Sequence, residues 1–138
     1  MSLKIFIVED HPLMRRTLSD FIQSNPNLEV AGSAGTEAEA LQGLAEVEAN
    51  IVLIDVRLAG ASGLHLAEQL RERYPKLLCL MLSGYREAPY IRHAFRVGAR
   101  GYILKGNPPE ILEAIQIVAS GGTYLSPALQ EKLSGAEI

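Results

Sequence analysis

The stretch IVLID, residues 51–55, decides the fold of this chain: four consecutive apolar residues end at a single carboxylate, Asp55. A continuous apolar run of this length is typical of a strand that is buried on both faces, as in a parallel sheet covered by helices. Nothing inside such a strand requires a charge. Asp55 therefore either only closes the strand or carries out chemistry at its end.

Outward from this stretch, short apolar runs alternate strictly with segments of helical periodicity. The alternation predicts an α/β fold, a doubly wound five-stranded parallel sheet with helices on both faces. Right-handed crossovers leave few arrangements of five strands, and the flavodoxin-like order 2-1-3-4-5 is the common one. We expect strands at 4–9, 28–33, 51–55, 77–82 and 101–105, and helices at 11–25, 36–49, 63–74, 88–97 and 107–121.

Capping residues mark the start of two of these helices. Thr36 precedes one helix and Glu39 follows three residues later, which is a capping-box pattern. Asn107 precedes the last helix, with Pro108 in the first turn and Glu110 at the third position.

Composition limits the class of protein. A chain of 138 residues is long enough for one domain whose core needs neither disulfides nor metal. Its one cysteine, Cys79, excludes an internal disulfide framework and suits the reducing cytoplasm, and its apolar surroundings indicate an inert core thiol. No segment approaches the roughly 20 apolar residues of a membrane span, and a net charge of −3 gives no basic footprint for nucleic acid. We expect a cytoplasmic protein with no membrane partner.

Polar side chains occupy the carboxyl-terminal ends of four predicted strands. Glu9 and Asp10 end the first, Asp55 the third, Ser83 the fourth and Lys105 the fifth. In the predicted order the first and third strands are neighbours, at the point where ligands bind in this architecture. Polar residues commonly close buried strands, so each alone means little. The whole set at one edge of the sheet indicates a functional site.

The residue types at this edge suggest phosphoryl chemistry. Clustered carboxylates repel one another and raise the pKa of at least one of them, a penalty that a divalent cation removes. All-oxygen ligands favour Mg²⁺ or Mn²⁺ over zinc. Beside such an ion Asp55 is the best-placed nucleophile and can form an acyl phosphate. Lys105 can neutralise a phosphoryl oxygen, and Ser83 can donate a hydrogen bond to another.

The chain resembles the receiver domain of two-component response regulators from residue 4 to about residue 120. The resemblance implies that Asp55 accepts a phosphoryl group from the phosphohistidine of a sensor histidine kinase. It also implies a Mg²⁺ site formed by Asp10, Asp55 and the backbone carbonyl of Arg57, with Glu9 bound through water. The motifs that carry it are VED (8–10), IDVRLAGASG (54–63), LSG (82–84) and GYILK (101–105).

The same resemblance assigns roles to the switch residues. Ser83 and Tyr102 would form the switch pair: the hydroxyl moves toward the phosphoryl group and the ring turns inward behind it. Lys105 would contact the phosphoryl oxygens. Arg57 and Tyr85 lie two residues beyond the acceptor and the switch hydroxyl, positions that tune dephosphorylation in the family. Both side chains are bulky, and we expect them to slow the attack of water.

A narrower resemblance indicates the LuxR-type (NarL/FixJ-like) subfamily. It implies a receiver over residues 1–121 and the start of a linker over 122–138, leading to an absent C-terminal DNA-binding output domain. It further implies a homodimer on phosphorylation, with DNA contacted only through the missing domain. The dimer face in this subfamily often involves the first and fifth helices, and Ile117, off the apolar stripe of the last helix, is an exposed candidate. The stretches that carry it are EDHPLMRRTL (9–18), VGARGYILK (97–105) and VASGGTYLSPAL (118–129).

Two departures from the family pattern stand near the site. Ala59 occupies a loop position that usually holds proline, which predicts a less rigid loop. Gly106 follows the lysine where the family often has a cis-proline, so no cis bond is expected there.

Other interpretations of these residues agree less well with the sequence. His11 is better explained as the start of the first helix than as a metal ligand, and His65 and His93 have no partner at ligand spacing. A phosphatase of the haloacid-dehalogenase type also uses a strand-end aspartate, but it needs a second acid two residues later, where this chain has Arg57. A stand-alone receiver that signals by docking is the other alternative, although such proteins typically lack part of the acid set or the lysine. We expect no enzyme activity beyond the chain's own phosphorylation and dephosphorylation.

Overall fold

A computed structural model describes residues 2–58 and 60–132, and the side chains of residues 2–58 and 60–130. The long strands and helices predicted from the sequence are all present, with ends that differ by at most three residues. The strands are β1 (Leu3–Val8), β2 (Leu28–Ala34), β3 (Ile51–Asp55), β4 (Arg57–Leu58), β5 (Ala61–Ser62), β6 (Leu78–Ser83), β7 (Gly101–Leu104) and β8 (Tyr124–Leu125). The helices are α1 (Pro12–Gln23), α2 (Glu37–Glu46), α3 (Gly63–Arg73), α4 (Ala88–Arg96) and α5 (Pro108–Ala119), followed by a 3₁₀ helix (Pro127–Lys132).

The main sheet is parallel, in the order β2-β1-β3-β6-β7-β8. Its first five strands are the five predicted ones, and their order corresponds to the expected 2-1-3-4-5. The predicted number of strands is wrong, because β8 adds a sixth strand at the β7 edge. A separate antiparallel pair, β4 and β5, lies in the loop after Asp55 and was also not predicted. Ala59, the residue in the usual proline position, lies outside the described residues.

Strand β3 is buried along its whole length, and its alternating side chains enter two hydrophobic clusters on opposite faces of the sheet. Ile51 and Leu53 pack with the apolar stripes of α1 and α5. Val52 and Ile54 pack with those of α2, α3 and α4. A strand covered on both faces has no solvated side, which is why its sequence is continuously apolar rather than alternating.

One of the two predicted helix caps is formed as predicted. The Thr36 hydroxyl accepts a hydrogen bond from the Glu39 backbone N–H at 3.1 Å, as a capping residue does. The Glu39 carboxylate in turn accepts from the Gly35 N–H at 3.0 Å. Asn107 stands at the start of α5, but its side chain makes no capping hydrogen bond there.

Residues 124–132, comprising β8 and the 3₁₀ helix and called here the C-terminal strap, lie against the edge of the sheet. Tyr124 and Leu125 pair with Gly101 and Tyr102 of β7. Leu129 is fully buried, in the same hydrophobic cluster as Tyr102. The sequence placed this segment in the start of a linker; the described part of it packs on the domain.

Among the described residues no helix is both long and apolar enough to cross a membrane.

Candidate functional site

Asp55 lies at the carboxyl end of β3 with only 5% of its surface exposed. Both carboxylate oxygens are engaged. Oδ1 accepts a hydrogen bond from the Arg57 backbone N–H at 3.1 Å, and Oδ2 accepts from the Lys105 ammonium at 2.6 Å. A charge-assisted bond of this length is among the stronger hydrogen bonds in proteins.

Two further acids stand beside Asp55 because β1 is the neighbour of β3 in the sheet. Glu9 and Asp10 follow the last residue of β1, and carboxylate oxygens of all three acids lie within 4.8 Å of one another. Glu9 is fully buried, and its Oε2 accepts a hydrogen bond from the His11 N–H at 3.1 Å. Burial raises the pKa of Glu9 to about 7, with a contribution from the Asp55 charge, although the His11 N–H and Lys105 act against that rise.

Lys105 reaches both acids from the end of β7. Its Nζ lies 2.6 Å from Asp55 Oδ2 and 3.2 Å from Glu9 Oε1. Burial lowers the pKa of Lys105, but the adjacent carboxylates of Asp55 and Glu9 outweigh burial, so the net shift is upward. The lysine is therefore a fixed positive charge at neutral pH, which suits it to balance negative charge at the site.

The three acids fit a divalent cation. Glu9 Oε1 is buried and accepts no hydrogen bond from any described residue, although it lies near the Lys105 ammonium. A buried carboxylate oxygen without a hydrogen bond is costly, and a cation that ligates it removes that cost. All the donors are oxygens, the ligand type that Mg²⁺ prefers. The cluster Glu9, Asp10 and Asp55 can hold such an ion.

Ser83, at the end of β6, is placed differently from the charged residues. Its side chain is fully buried, and its oxygen accepts a hydrogen bond from the Tyr85 N–H at 2.8 Å. Tyr102 is also fully buried, with its hydroxyl donating to the Tyr85 carbonyl at 2.8 Å. Burial raises the pKa of Tyr102 to about 12, while a hydrogen bond with the Ser83 side chain lowers it in part. The tyrosine ring thus already points inward and is linked to Ser83.

A cleft of about 740 Å³ opens above the acids, and two side chains meet across its mouth. The Arg57 guanidinium donates to the Tyr85 hydroxyl at 2.7 Å, joining the loop after β3 to the loop after β6. The Tyr85 ring stacks on Tyr90 of α4, with ring centroids 4.7 Å apart. The sequence singled out Arg57 and Tyr85, but the contact between them and the role of Tyr90 were not predicted.

Gly63 is a site residue that the sequence argument did not single out. A Cβ at this position would lie 2.0 Å from the Asp55 carbonyl oxygen and 2.9 Å from the Ile54 side chain. The Gly63 N–H donates to the Val56 carbonyl at 2.7 Å, which draws the start of α3 against the end of β3. Gly63 is the last residue of the motif IDVRLAGASG (54–63), and this position in the motif was the sequence signal available for it.

The remaining candidates lie where the sequence placed them. His11 begins α1 as its N-cap, with Nδ1 accepting from the Met14 N–H at 3.3 Å. His65 and His93 are exposed, and His65 lies 3.9 Å from Glu37. Cys79 is buried in β6, and burial raises the pKa of its thiol to about 12, which keeps it protonated and unreactive.

Comparison with known proteins matches this geometry to one family. The family model "Response regulator receiver domain" matches residues 5–116. The DNA-binding transcriptional activator DevR/DosR of Mycobacterium tuberculosis is 35% identical over 139 residues, which cover 97% of this chain and 64% of that protein. The transcriptional activator protein ExaE of Pseudomonas putida is 35% identical over 131 residues, covering 94% of this chain and 61% of that protein.

Solved structures show the same fold. A LuxR-family two-component response regulator from Aurantimonas sp. SI85-9A1 superposes with a TM-score of 0.90 at 26% identity, covering 96% of this chain and 95% of the other. The isolated receiver domain of RcsB from Salmonella enterica serovar Typhimurium, solved with the phosphomimetic BeF₃⁻, gives a TM-score of 0.89 at 17% identity and covers 97% of this chain and 100% of the other. This chain spans a little under two thirds of the length of the curated relatives named above.

Proposed function

Because this chain belongs to the response regulator receiver family, we propose that it is a phosphorylation-activated switch of a two-component system. Asp55 would accept a phosphoryl group from the phosphohistidine of a sensor histidine kinase. The single observation that supports this most is the carboxylate of Asp55 at the strand end, 2.6 Å from Lys105 and within 4.8 Å of two further acids.

The transfer is a substitution at phosphorus. A carboxylate oxygen of Asp55 forms a new P–O bond as the P–N bond to the donor histidine breaks, and the imidazole leaves with the electron pair of that bond. The product is an acyl phosphate on Asp55. Lys105 is placed to balance the added negative charge, since its ammonium already lies against the acceptor carboxylate.

A divalent cation, Mg²⁺ or Mn²⁺, would be held by Asp10, Asp55 and the backbone carbonyl of Arg57, with Glu9 acting through water. When bound, it supplies charge neutralisation and a fixed position for phosphoryl oxygens. Glu9 supports this assignment, because it is a buried acid beside Asp55 whose pKa is raised by burial even though the His11 N–H and Lys105 act against that rise.

The signal would pass from Asp55 through Ser83 and Tyr102. The added phosphoryl group brings negative charge and acceptor oxygens, which favour a state in which the Ser83 hydroxyl donates to them. Tyr102 contacts the Tyr85 carbonyl and Ser83, so a change at either residue alters its hydrogen bonds. The equilibrium is two-state, and phosphorylation biases it rather than creates it.

We do not propose that the chain turns over a separate substrate. A phosphatase with an aspartate nucleophile needs a general acid two residues later, and Arg57 in that position has its guanidinium bound to the Tyr85 hydroxyl. The chain would catalyse only its own phosphorylation and dephosphorylation.

The output would be regulation of transcription. Support comes from relatives named as transcriptional activators, of which this chain spans 61–64%. We propose that phosphorylation promotes a homodimer, with DNA bound through a C-terminal domain beyond this sequence. Ile117, 36% exposed on α5, is a candidate contact in that dimer.

The test is phosphorylation of the intact chain by acetyl phosphate in the presence of Mg²⁺, followed by intact mass spectrometry. We expect one phosphoryl adduct that is stable in acid and labile in base. Asp55→Asn, which keeps the size and shape of the side chain but has no carboxylate to accept a phosphoryl group, serves as the matched control and should give none. Excess EDTA should also abolish the adduct.

No adduct on the folded wild-type chain with Mg²⁺ present would contradict the proposal and favour a docking-only receiver. An adduct that persists in Asp55→Asn would place the acceptor elsewhere.

A further inference from the structure

Ser126, in the C-terminal strap, is fully buried and makes hydrogen bonds in three directions. Its hydroxyl oxygen accepts from the Leu104 backbone N–H at 2.8 Å and donates to the carboxylate of Glu110 in the first turn of α5. Its own backbone N–H donates to the Tyr102 carbonyl at 3.1 Å. One serine thus joins the strap to β7 and α5.

These bonds lie directly beside the phosphoryl site. Leu104 is the residue before Lys105, and Tyr102 is the buried tyrosine linked to Ser83. Regular pairing of β8 with β7 stops at Tyr102, so the Leu104 N–H depends on the Ser126 side chain for its partner. Leu104 is half-buried, and removing the Ser126 hydroxyl would cost its N–H a hydrogen bond of ordinary strength.

Lys105 is anchored through few backbone contacts. Its N–H donates to the Ser83 carbonyl at 2.9 Å, and on its other side the chain passes to Gly106, which has a φ of +112°. Glycine is the residue with the widest backbone freedom, so it adds little rigidity to the lysine. The position of the Lys105 backbone therefore depends on the end of β7 that precedes it, where the Leu104 N–H is hydrogen-bonded to the Ser126 hydroxyl.

We propose that Ser126 is a positioning residue for the phosphorylation of Asp55: its hydrogen bond to the Leu104 amide fixes the backbone that carries Lys105 and ties the C-terminal strap to the phosphoryl site. The inference rests on the proposed function. A lysine whose backbone is already fixed loses less freedom when its ammonium must hold a phosphoryl oxygen, and this lowers the barrier to transfer.

The effect proposed above is on a rate, and the coupling runs in both directions only where the strap also changes the equilibrium between the two states of the site. If attachment of the strap favours the phosphorylated site, phosphorylation must favour attachment of the strap by the same factor. The C-terminal strap would in this way respond to phosphorylation of Asp55 without contacting that residue.

The experiment measures the rate at which acetyl phosphate and Mg²⁺ phosphorylate the intact chain, by intact mass against time. Ser126→Ala should slow phosphorylation roughly fivefold, the effect of one buried hydrogen bond of ordinary strength. Ser120→Ala is the matched control, because the Ser120 hydroxyl contacts only the Gln116 carbonyl of its own helix among the described residues. It should leave the rate unchanged, and Ser126→Thr, which keeps the hydroxyl, should recover much of the loss.

A double-mutant cycle with Lys105→Ala distinguishes an effect of Ser126 on the position of Lys105 from a general loosening of the folded domain. If Ser126 acts through Lys105, then Ser126→Ala should have no further effect in the Lys105→Ala background, where the slower reaction is followed to longer times. Should Ser126→Ala fail to fold, Glu110→Gln is the second variant, since it weakens the acceptor of the Ser126 hydroxyl and should slow phosphorylation about twofold in the same lysine-dependent manner.

A folded Ser126→Ala protein that is phosphorylated at the wild-type rate would overturn the inference. So would an equal slowing in the Lys105→Ala background. Failure of the wild-type chain to form any adduct is a different result, which removes the proposed function itself.

Discussion

If Asp55 is phosphorylated as proposed, the lifetime of the phosphoryl group would depend on the opening of the cleft, where the Arg57 guanidinium bonds to the Tyr85 hydroxyl at 2.7 Å. Hydrolysis of an acyl phosphate requires water to approach the phosphorus in line with the bond to Asp55. Two bulky side chains joined across the opening hinder that approach. We expect Arg57→Ala and Tyr85→Ala each to shorten the phosphoryl half-life several-fold, measured as loss of the adduct after removal of acetyl phosphate.

Thr17→Ala is the control for this experiment, because Thr17 lines the same cleft but its hydroxyl contacts the Leu13 carbonyl of its own helix. The phosphoryl half-life of Thr17→Ala should match that of the wild type. An unchanged or longer half-life in both the Arg57 and Tyr85 variants would show that they do not hinder water.

Glu9 should make the metal-free protein less stable as the pH rises. Burial raises its pKa from the ordinary 4.5 to about 7. Between these values the unfolded chain releases the proton while the folded chain retains it, so the free energy of unfolding falls with increasing pH. Below pH 4.5 the penalty is absent, and above pH 7 it is complete, on the order of 3 kcal/mol.

The measurement is urea denaturation in EDTA from pH 4 to pH 8. Glu9→Gln, which cannot ionise, should remove this part of the pH dependence, and saturating Mg²⁺ should reduce it in the wild type. The same fall in Glu9→Gln would assign the pH dependence to other groups.

At the scale of secondary-structure elements, the join between β3 and α3 depends on the absence of a side chain at Gly63. A Cβ there would lie 2.0 Å from the Asp55 carbonyl oxygen, a backbone atom that moves only if the strand moves. Gly63→Ala should therefore destabilise the protein by about 1–3 kcal/mol and slow phosphorylation, because Asp55 is displaced. Denaturation and the adduct assay measure the two effects.

Gly84→Ala is the matched change, since no described residue other than its two chain neighbours has an atom within 4 Å of a Cβ at that position. It should leave stability within about 0.5 kcal/mol of the wild type. A Gly63→Ala protein as stable as Gly84→Ala would mean that α3 and β3 can separate without cost.

The long elements could be predicted because each carries a pattern over many residues. Strand β3 is continuously apolar since both faces are covered, and α2 begins with a capping residue that is used as expected. The short elements offer no such pattern. Strands of two residues, such as Arg57–Leu58 or Tyr124–Leu125, are too short for any periodicity, and only tertiary pairing defines them.

The same limit applies to the site. The charged residues were predictable as a group because the carboxyl ends of parallel strands share one edge, and the structure brings together Glu9, Asp10, Asp55 and Lys105. The contact of Arg57 with Tyr85 and that of Ser126 with Leu104 depend on the paths of loops and on side-chain directions. Neither is encoded in the spacing of residues along the chain.

At the scale of the whole molecule, the question is whether the C-terminal strap is part of the domain or the beginning of a linker. The burial of Leu129 makes the question testable, because its side chain is fully buried in the cluster that also contains Tyr102 and Ile91. If the strap is integral to the domain, Leu129→Ala should lower the free energy of unfolding of the whole domain by about 2–5 kcal/mol, in one cooperative transition.

Leu13→Ala is the same substitution at a side chain that is 68% exposed, and it should change stability by less than about 0.5 kcal/mol. A strap that detaches on its own would give a different result: Leu129→Ala would leave global unfolding almost unchanged, and only the amides of the strap would exchange faster with solvent. That outcome would end the domain near residue 121, as the sequence predicts. A large cooperative loss would instead extend the domain through the strap, because the strap's burial would then contribute to every folded molecule.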